Sequence, residues 1–259
     1  MGEDRFIKSA VLWNTPTPFD PDSAVASPST FNLCSRLYAV EIAQIDGLTF
    51  FFYKGEINGI HVHQRGQASA LPTFHRLSST VKEQAAWIYV PFAKGDTLVR
   101  FGVRHWFRGG RVIILGTRLA GDTVFGMPSH TIDDTRGIES TSPLTLVYGD
   151  SKDDMSETPF FGVIQKDASQ VPMAPLSNAW WPKSVDFRTA EERRRIRLAC
   201  YTRAPLAGVV LVTVFYAGDT NHCQGAIFTY GNGGERSVGQ CRIGVDRSST
   251  FAPSEGLCF

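Results

Sequence analysis

From Leu37 onward, runs of aromatic and β-branched residues alternate with glycine-bearing turns, and that rhythm specifies strands rather than helices. Tyr38, Val40 and Ile42 alternate with polar or small residues, as a strand with one buried face does. Leu48 to Tyr53 is a continuous run, and Lys54-Gly55-Glu56 turns it back into Ile57 to His63. Trp87 to Phe92 and Leu98 to Trp106 are separated by Ala93-Lys94-Gly95-Asp96. Gly109-Gly110 leads into Arg111 to Leu115, and Gly121-Asp122 into Thr123 to Phe125. Near the end, Val209 to Tyr216 and Ala226 to Tyr230 are β runs. The turn Gly231-Asn232-Gly233-Gly234 needs positive φ, and Arg236 to Val245 is expected to close the set.

Residues 1–36 read differently. Pro16, Pro18, Pro21 and Pro28 fall among Ser, Thr and Asp, a composition that fits neither a central strand nor a helix, so an irregular arm is expected. Residues 37–259 are expected to form a single β-rich domain. Its patterning weakens at about 127–186, a loop-rich insertion with strand-like pieces at Leu144 to Tyr148 and Phe160 to Gln165. Thr189 to Glu192 has the spacing of a capping box, while Ile196, Leu198 and Cys200 alternate as in a strand. A helical turn feeding a strand accommodates both.

Composition narrows the partners. Hydrophobic residues make up 42% of the 259, enough for a sizeable core, and charged residues 20%, too few for disorder. With 26 basic and 25 acidic residues the net charge is +1, which gives no footprint for nucleic acid or an anionic membrane surface. No apolar stretch approaches the roughly 20 residues that span a bilayer, and Met1 to Phe6 is charged, unlike a secretion signal. The cysteines, Cys34, Cys200, Cys223, Cys241 and Cys258, are odd in number and irregularly spaced, with no CxxC pair. They are expected to be reduced thiols of a soluble, cytoplasmic protein.

Three segments share one pattern, in which a β run, a polar or glycine turn and an apolar alternation close on another glycine. They are Leu48 to Gly66, Leu98 to Gly126 and Val209 to Gly239. The third, with Gly225-Ala-Ile-Phe-Thr-Tyr-Gly-Asn-Gly-Gly234, resembles the hairpin unit of jacalin-like lectins. That resemblance implies a β-prism and a carbohydrate ligand. The family's Gly-x-x-x-Asp sugar loop has its spacing at Gly149 to Asp153, whereas the last strand, Gly239 to Asp246, departs from it. The strand segments, above all Gly225 to Gly244, are also similar to sequences from β-rich proteins of filamentous fungi, which implies no function.

Residues that could carry chemistry are few. His61-Val62-His63 puts two imidazoles on one face of a strand, where both could meet one metal ion. With Gly55 ahead of it, the spacing is similar to the cupin motif, although Gln67 stands where that family has glutamate. A half-buried strand with an exposed His-x-His face is the plainer explanation. Trp106, Trp180 and Trp181 are candidate stacking surfaces for a sugar ring, or caps on the open end of a β core. Asp219, Asn221 and His222 fall in a turn and are candidate ligand contacts. His222 beside Cys223 does not make a dyad, because sequence neighbours on a strand point to opposite faces. Arg193 to Arg197 follows Glu191-Glu192 and reads as a solvated, self-paired face.

The expected fold is therefore all-β: antiparallel sheets in a β-prism, sandwich or barrel arrangement, with long irregular insertions and little helix. The expected function is a non-catalytic binding or interaction module with a carbohydrate or protein partner. The alternatives are a cupin-like enzyme using His61 and His63, and a structural or capsid-like subunit that oligomerises. The sequence specifies neither a cofactor nor an oligomeric state.

Overall fold

The computed structural model describes residues 12–13, 24–26, 36–66, 69–106, 110–127, 132–150, 160–165, 200–218 and 220–252. In chain order the strands begin with β1 (Leu12–Trp13), β2 (Val25–Ala26) and β3 (Arg36–Val40). The first long hairpin is β4 (Ile45–Tyr53) and β5 (Glu56–Gln64). Two short helices follow, α1 (Leu71–His75) and α2 (Ser79–Gln84), then β6 (Ala86–Pro91). A meander comes next: β7 (Leu98–Trp106), β8 (Arg111–Thr117) and β9 (Gly121–Gly126). After it come β10 (Ile132–Glu139), β11 (Leu144–Asp150) and β12 (Phe161–Gln165). The final group is β13 (Tyr201–Thr202), β14 (Val209–Tyr216), β15 (Cys223–Tyr230), β16 (Glu235–Gly239) and β17 (Arg247–Phe251).

These strands make four sheets, and none of them closes into a barrel. Sheet A has the order β1-β3-β11-β12-β2, sheet B β5-β4-β6, sheet C β10-β7-β8-β9-β13, and sheet D β16-β15-β14-β17. Every pairing is antiparallel except β1 with β3. The expected all-β class is what the chain forms, and no helix among the described residues is long and apolar enough to cross a membrane.

Sheets A, B and C each turn one face onto a shared core. Sheet A contributes Leu144, Leu146, Phe161 and Val163, sheet B Leu48, Phe50, Phe52, Ile60, Val62, Ile88 and Val90, and sheet C Phe101, Val103, Ile113, Leu115 and Phe125. Phe50 lies where the three meet. Its ring is 4.8 Å from Phe125 of sheet C and 5.1 Å, edge-on, from Phe161 of sheet A. This placement explains why Leu48 to Tyr53 reads as a continuous apolar run. Leu48, Phe50 and Phe52 face the core, while Phe51 on the other face packs with Trp87, Leu77 and Val81 under the helices.

The helices occupy a segment that carries no periodic signal. Pro72 sits in the first turn of α1, and the Ser78 side chain caps α2 by accepting from the Val81 N–H at 3.4 Å. The β4–β5 turn is pinned to sheet C, where Glu56 takes the Arg111 guanidinium at 2.8 Å and the Gly110 N–H at 3.0 Å.

The arm contributes β1 and β2, each of two residues, at the outer edges of sheet A. The weakly patterned stretch after Met127 supplies three strands, and β11, with Leu146 and Val147 buried, is the central strand of sheet A. The expected strand Arg236 to Val245 is shorter than its sequence suggested. It ends at Gly239, whose φ of +68° turns the backbone out of the sheet, and residues 243–245 form a turn. The following Arg247–Phe251 strand has no apolar alternation to announce it.

The three similar segments lie in sheets B, C and D respectively, and only the first two reach the shared core. Sheet D packs outside it. One face lies on sheet B through Phe215, Cys241 and Tyr89, and the β15–β16 turn docks on the β8–β9 turn through Asn232 and Arg236, which donate to Leu119 and Ala120 carbonyls at 2.8 Å.

Candidate functional site

The paired histidines lie on the outer face of sheet B. Register places His61 in a row with Thr49 and Tyr89, and His63 in a row with Gly47 and Pro91. Because successive strand residues point to opposite faces, Ile60 and Val62 enter the core while both imidazoles face away from it. The two rings meet edge-on at 4.7 Å, and His63 meets Tyr89 edge-on at 5.1 Å. The same-face placement expected of His61 and His63 is therefore present, but His63 is buried, with 1% of its surface exposed.

Hydroxyl groups hold both rings. His63 Nε2 lies 2.7 Å from Thr49 Oγ1, and His61 Nδ1 lies 2.9 Å from Thr73 Oγ1 on α1. The buried Nε2 of His61 has no hydrogen-bond partner among the described residues. Burial lowers the His61 pKa, and the charge of Arg76 lowers it further, so the neutral imidazole is favoured. Tyr89 lies across Gly47, where an added Cβ would stand 2.6 Å from the ring, and its hydroxyl donates to the Asp46 carbonyl at 2.8 Å. Burial, followed by Glu235, Asp46 and Cys241, drives the Tyr89 pKa up, so the phenol stays protonated.

A metal fits this arrangement poorly. Each imidazole already spends one nitrogen on a threonine hydroxyl. Among the described residues no three His, Cys, Asp or Glu side chains lie close enough to share an ion. Gln67 lies outside the described residues.

Sheet D presents a different kind of surface. The exposed large apolar side chains among the described residues are Leu206, Val210, Leu211, Val245 and Phe251, all in this sheet or in its connecting segments. Leu206 is 53% exposed and Phe251 51%. On the face turned away from sheet B, a trough of about 390 Å³ runs along β15 and β16. Ala226, Phe228 and Val238 line it, with Ala204 and Leu206 on one bank and Cys223 and Gln224 toward one end.

Asn221 and His222 immediately precede those last two residues, in the exposed β14–β15 turn. Asn221 Oδ1 accepts from the Arg247 guanidinium at 2.7 Å, and that guanidinium lies 5.1 Å over the Tyr216 ring. Asn221 and His222 thus fall in one turn at the end of sheet D, on a different sheet from His61 and His63. Trp106 ends β7 in sheet C. Trp180, Trp181 and Asp219 lie outside the described residues, as do the capping-box segment and the arginine cluster.

Several residues at these places were not legible as site residues. Thr49, Thr73 and Tyr89 are neighbours of the histidines only through strand register and helix docking. Arg247 and Tyr216 meet only because β17 pairs with β14. The trough forms between the 203–206 segment and sheet D, a long-range placement with no local signature. Of the described cysteines, Cys223 is exposed and borders the trough, whereas burial pushes the Cys200 thiol up to about 12 and raises that of Cys241 as well.

No family model, curated protein or solved structure matches this chain.

Proposed function

We propose that the protein is a non-catalytic binding module that takes a carbohydrate along the outer face of sheet D. The observation carrying this reading is the trough, whose walls are apolar and whose one end, at Cys223 and Gln224, is followed back along the chain by the exposed β14–β15 turn with Asn221 and His222. Small-ligand sites combine these features: an apolar floor supplies most of the contact and a few polar groups fix orientation. A pyranose has the matching character, with C–H faces for Phe228 and Val238 and hydroxyls for the turn.

The test is a glycan array followed by calorimetry on the untagged protein and on Leu206→Asp and Asn221→Ala variants. A saccharide that binds the wild type, and binds both variants at least about tenfold more weakly, a difference near 1.4 kcal/mol, supports the reading. A wild type that binds no saccharide on the array sinks the carbohydrate ligand.

A second reading places a metal ion at His61 and His63; the buried, unpartnered Nε2 of His61 speaks for it, against the threonine bonds to both rings and the lack of a third ligand among the described residues. Metal analysis of protein purified without a histidine tag decides it: no bound metal, and no change on His61→Ala, leave it without support.

A further inference from the structure

Open sheet edges recruit other strands, and chains that stay apart protect them with short strands, charges or covering elements. Nearly every sheet edge among the described residues has such protection. β1, β2 and β13 are two residues long, β5 is packed by α1, and β10 carries Arg136 and lies against β2. β6 and β16 face each other, joined by the Gln240 side chain accepting from the Trp87 N–H at 3.1 Å and by Ser237 donating to the Tyr89 carbonyl. β17 is the exception. It is the terminal strand of sheet D, no described strand pairs with its outer edge, and its sequence is Arg-Ser-Ser-Thr-Phe. Its one charge, Arg247, is drawn inward onto Asn221 and Tyr216 and so does not guard the edge.

We infer that β17 is a self-association edge, where a second copy of this chain pairs antiparallel with it and joins two copies of sheet D into one eight-stranded sheet. The occupant follows from the strand's own complementarity. A two-fold axis at Ser249 sets Arg247 opposite the partner's Phe251, and Ser248 opposite the partner's Thr250. Arg247, Ser249 and Phe251 share one face, so each guanidinium, already on the Tyr216 ring, is offered a second aromatic from the other copy, and no like charges stand opposite. The 51% exposure of Phe251 is the surface this pairing covers. The net charge of +1 opposes association only weakly. A strand pair of this length buries less than the roughly 1,200 Å² of a stable interface, so the dimer is weak and appears only at high protein concentration. The pairing uses the edge of sheet D and leaves the trough on its face open, so it stands whether or not a saccharide binds there.

The experiment is sedimentation velocity across a hundredfold concentration range, on the wild type, on Ser249→Lys and Ser249→Asp, and on an equimolar mixture of the two variants. Circular dichroism checks that both variants are folded. The expected result is a wild type that shifts toward dimer with concentration, each variant at least about tenfold weaker because like charges face across the axis, and recovery in the mixture. A wild type that stays monomeric throughout, or a dimer untouched by either substitution, overturns the inference. Should a Ser249 variant not fold, the double variant Ser248→Lys with Thr250→Lys, which sets like charges opposite each other across the axis, must weaken the dimer in its place.

Discussion

Phe50→Ala should be among the most damaging single truncations, because that ring is where three sheets share contacts. Phe50 is fully buried, 4.8 Å from Phe125, 5.1 Å from Phe161 and 6.4 Å from Phe52. Truncating a buried phenylalanine costs about 3–5 kcal/mol in lost transfer energy and residual cavity. The pair geometry with Phe125 and Phe161 is worth roughly 0.5–1.5 kcal/mol each, partly counted already. A loss of about 4–5 kcal/mol is therefore expected, a large share of the roughly 5–15 kcal/mol that holds a typical domain. It corresponds to a melting temperature about 8–20 °C lower at roughly 2–4 °C per kcal/mol. Phe228→Ala is the control. That ring is also buried, but it borders the open trough of sheet D, so water fills the space left behind, and about 2 kcal/mol is expected. Urea unfolding followed by circular dichroism and by tryptophan fluorescence measures both. If Phe50→Ala costs no more than Phe228→Ala, or if the two signals separate in the wild type with Phe50→Ala moving only one, sheets A, B and C do not share a core.

Two further outcomes concern the histidine face. Because the folded-state pKa of His61 lies below the ordinary 6.5, the unfolded chain takes up its proton first as pH falls. The His61 contribution is thus fully present above about pH 6.5 and declines as pH drops through the folded value. Denaturation at pH 7.5 and 5.5 should show a shallower slope in His61→Gln than in the wild type, and an unchanged slope would contradict the burial argument. Gly47→Ala would drive its Cβ to within 2.6 Å of the Tyr89 ring, so it should cost about 1–3 kcal/mol in thermal or urea unfolding, and a neutral result would mean that Tyr89 does not lie across that strand.

The strands announced themselves where one face met the core. β4, β7, β8 and β14 carry dense aromatic or β-branched runs, and their turns carry glycine, so local chemistry alone placed them. β11 was harder, because Leu144, Leu146 and Val147 sit in a stretch whose neighbours are Ser, Asp and Pro. Its place at the centre of sheet A depends on β3, more than a hundred residues earlier. β17 has no periodicity, since four of its five side chains are exposed and only pairing with β14 makes it a strand. Of the candidate site, the common face of His61 and His63 follows from strand period, and Asn221 and His222 from turn composition. The threonine partners, the Tyr89 lid over Gly47 and the trough each join segments distant in sequence, and no local pattern encodes such meetings.

The proposal that sheet D binds a carbohydrate is tested most directly through Cys223, which lies at the trough and is exposed while Cys200 and Cys241 are shielded. The alkylation rate of each thiol is followed by peptide mass spectrometry, with and without the saccharides that give heat in calorimetry. Bound saccharide should slow alkylation of Cys223 severalfold and leave the slow rates of Cys200 and Cys241 where they were. Saccharide that binds while Cys223 reacts at its free rate would place the ligand elsewhere and contradict the assignment of the trough.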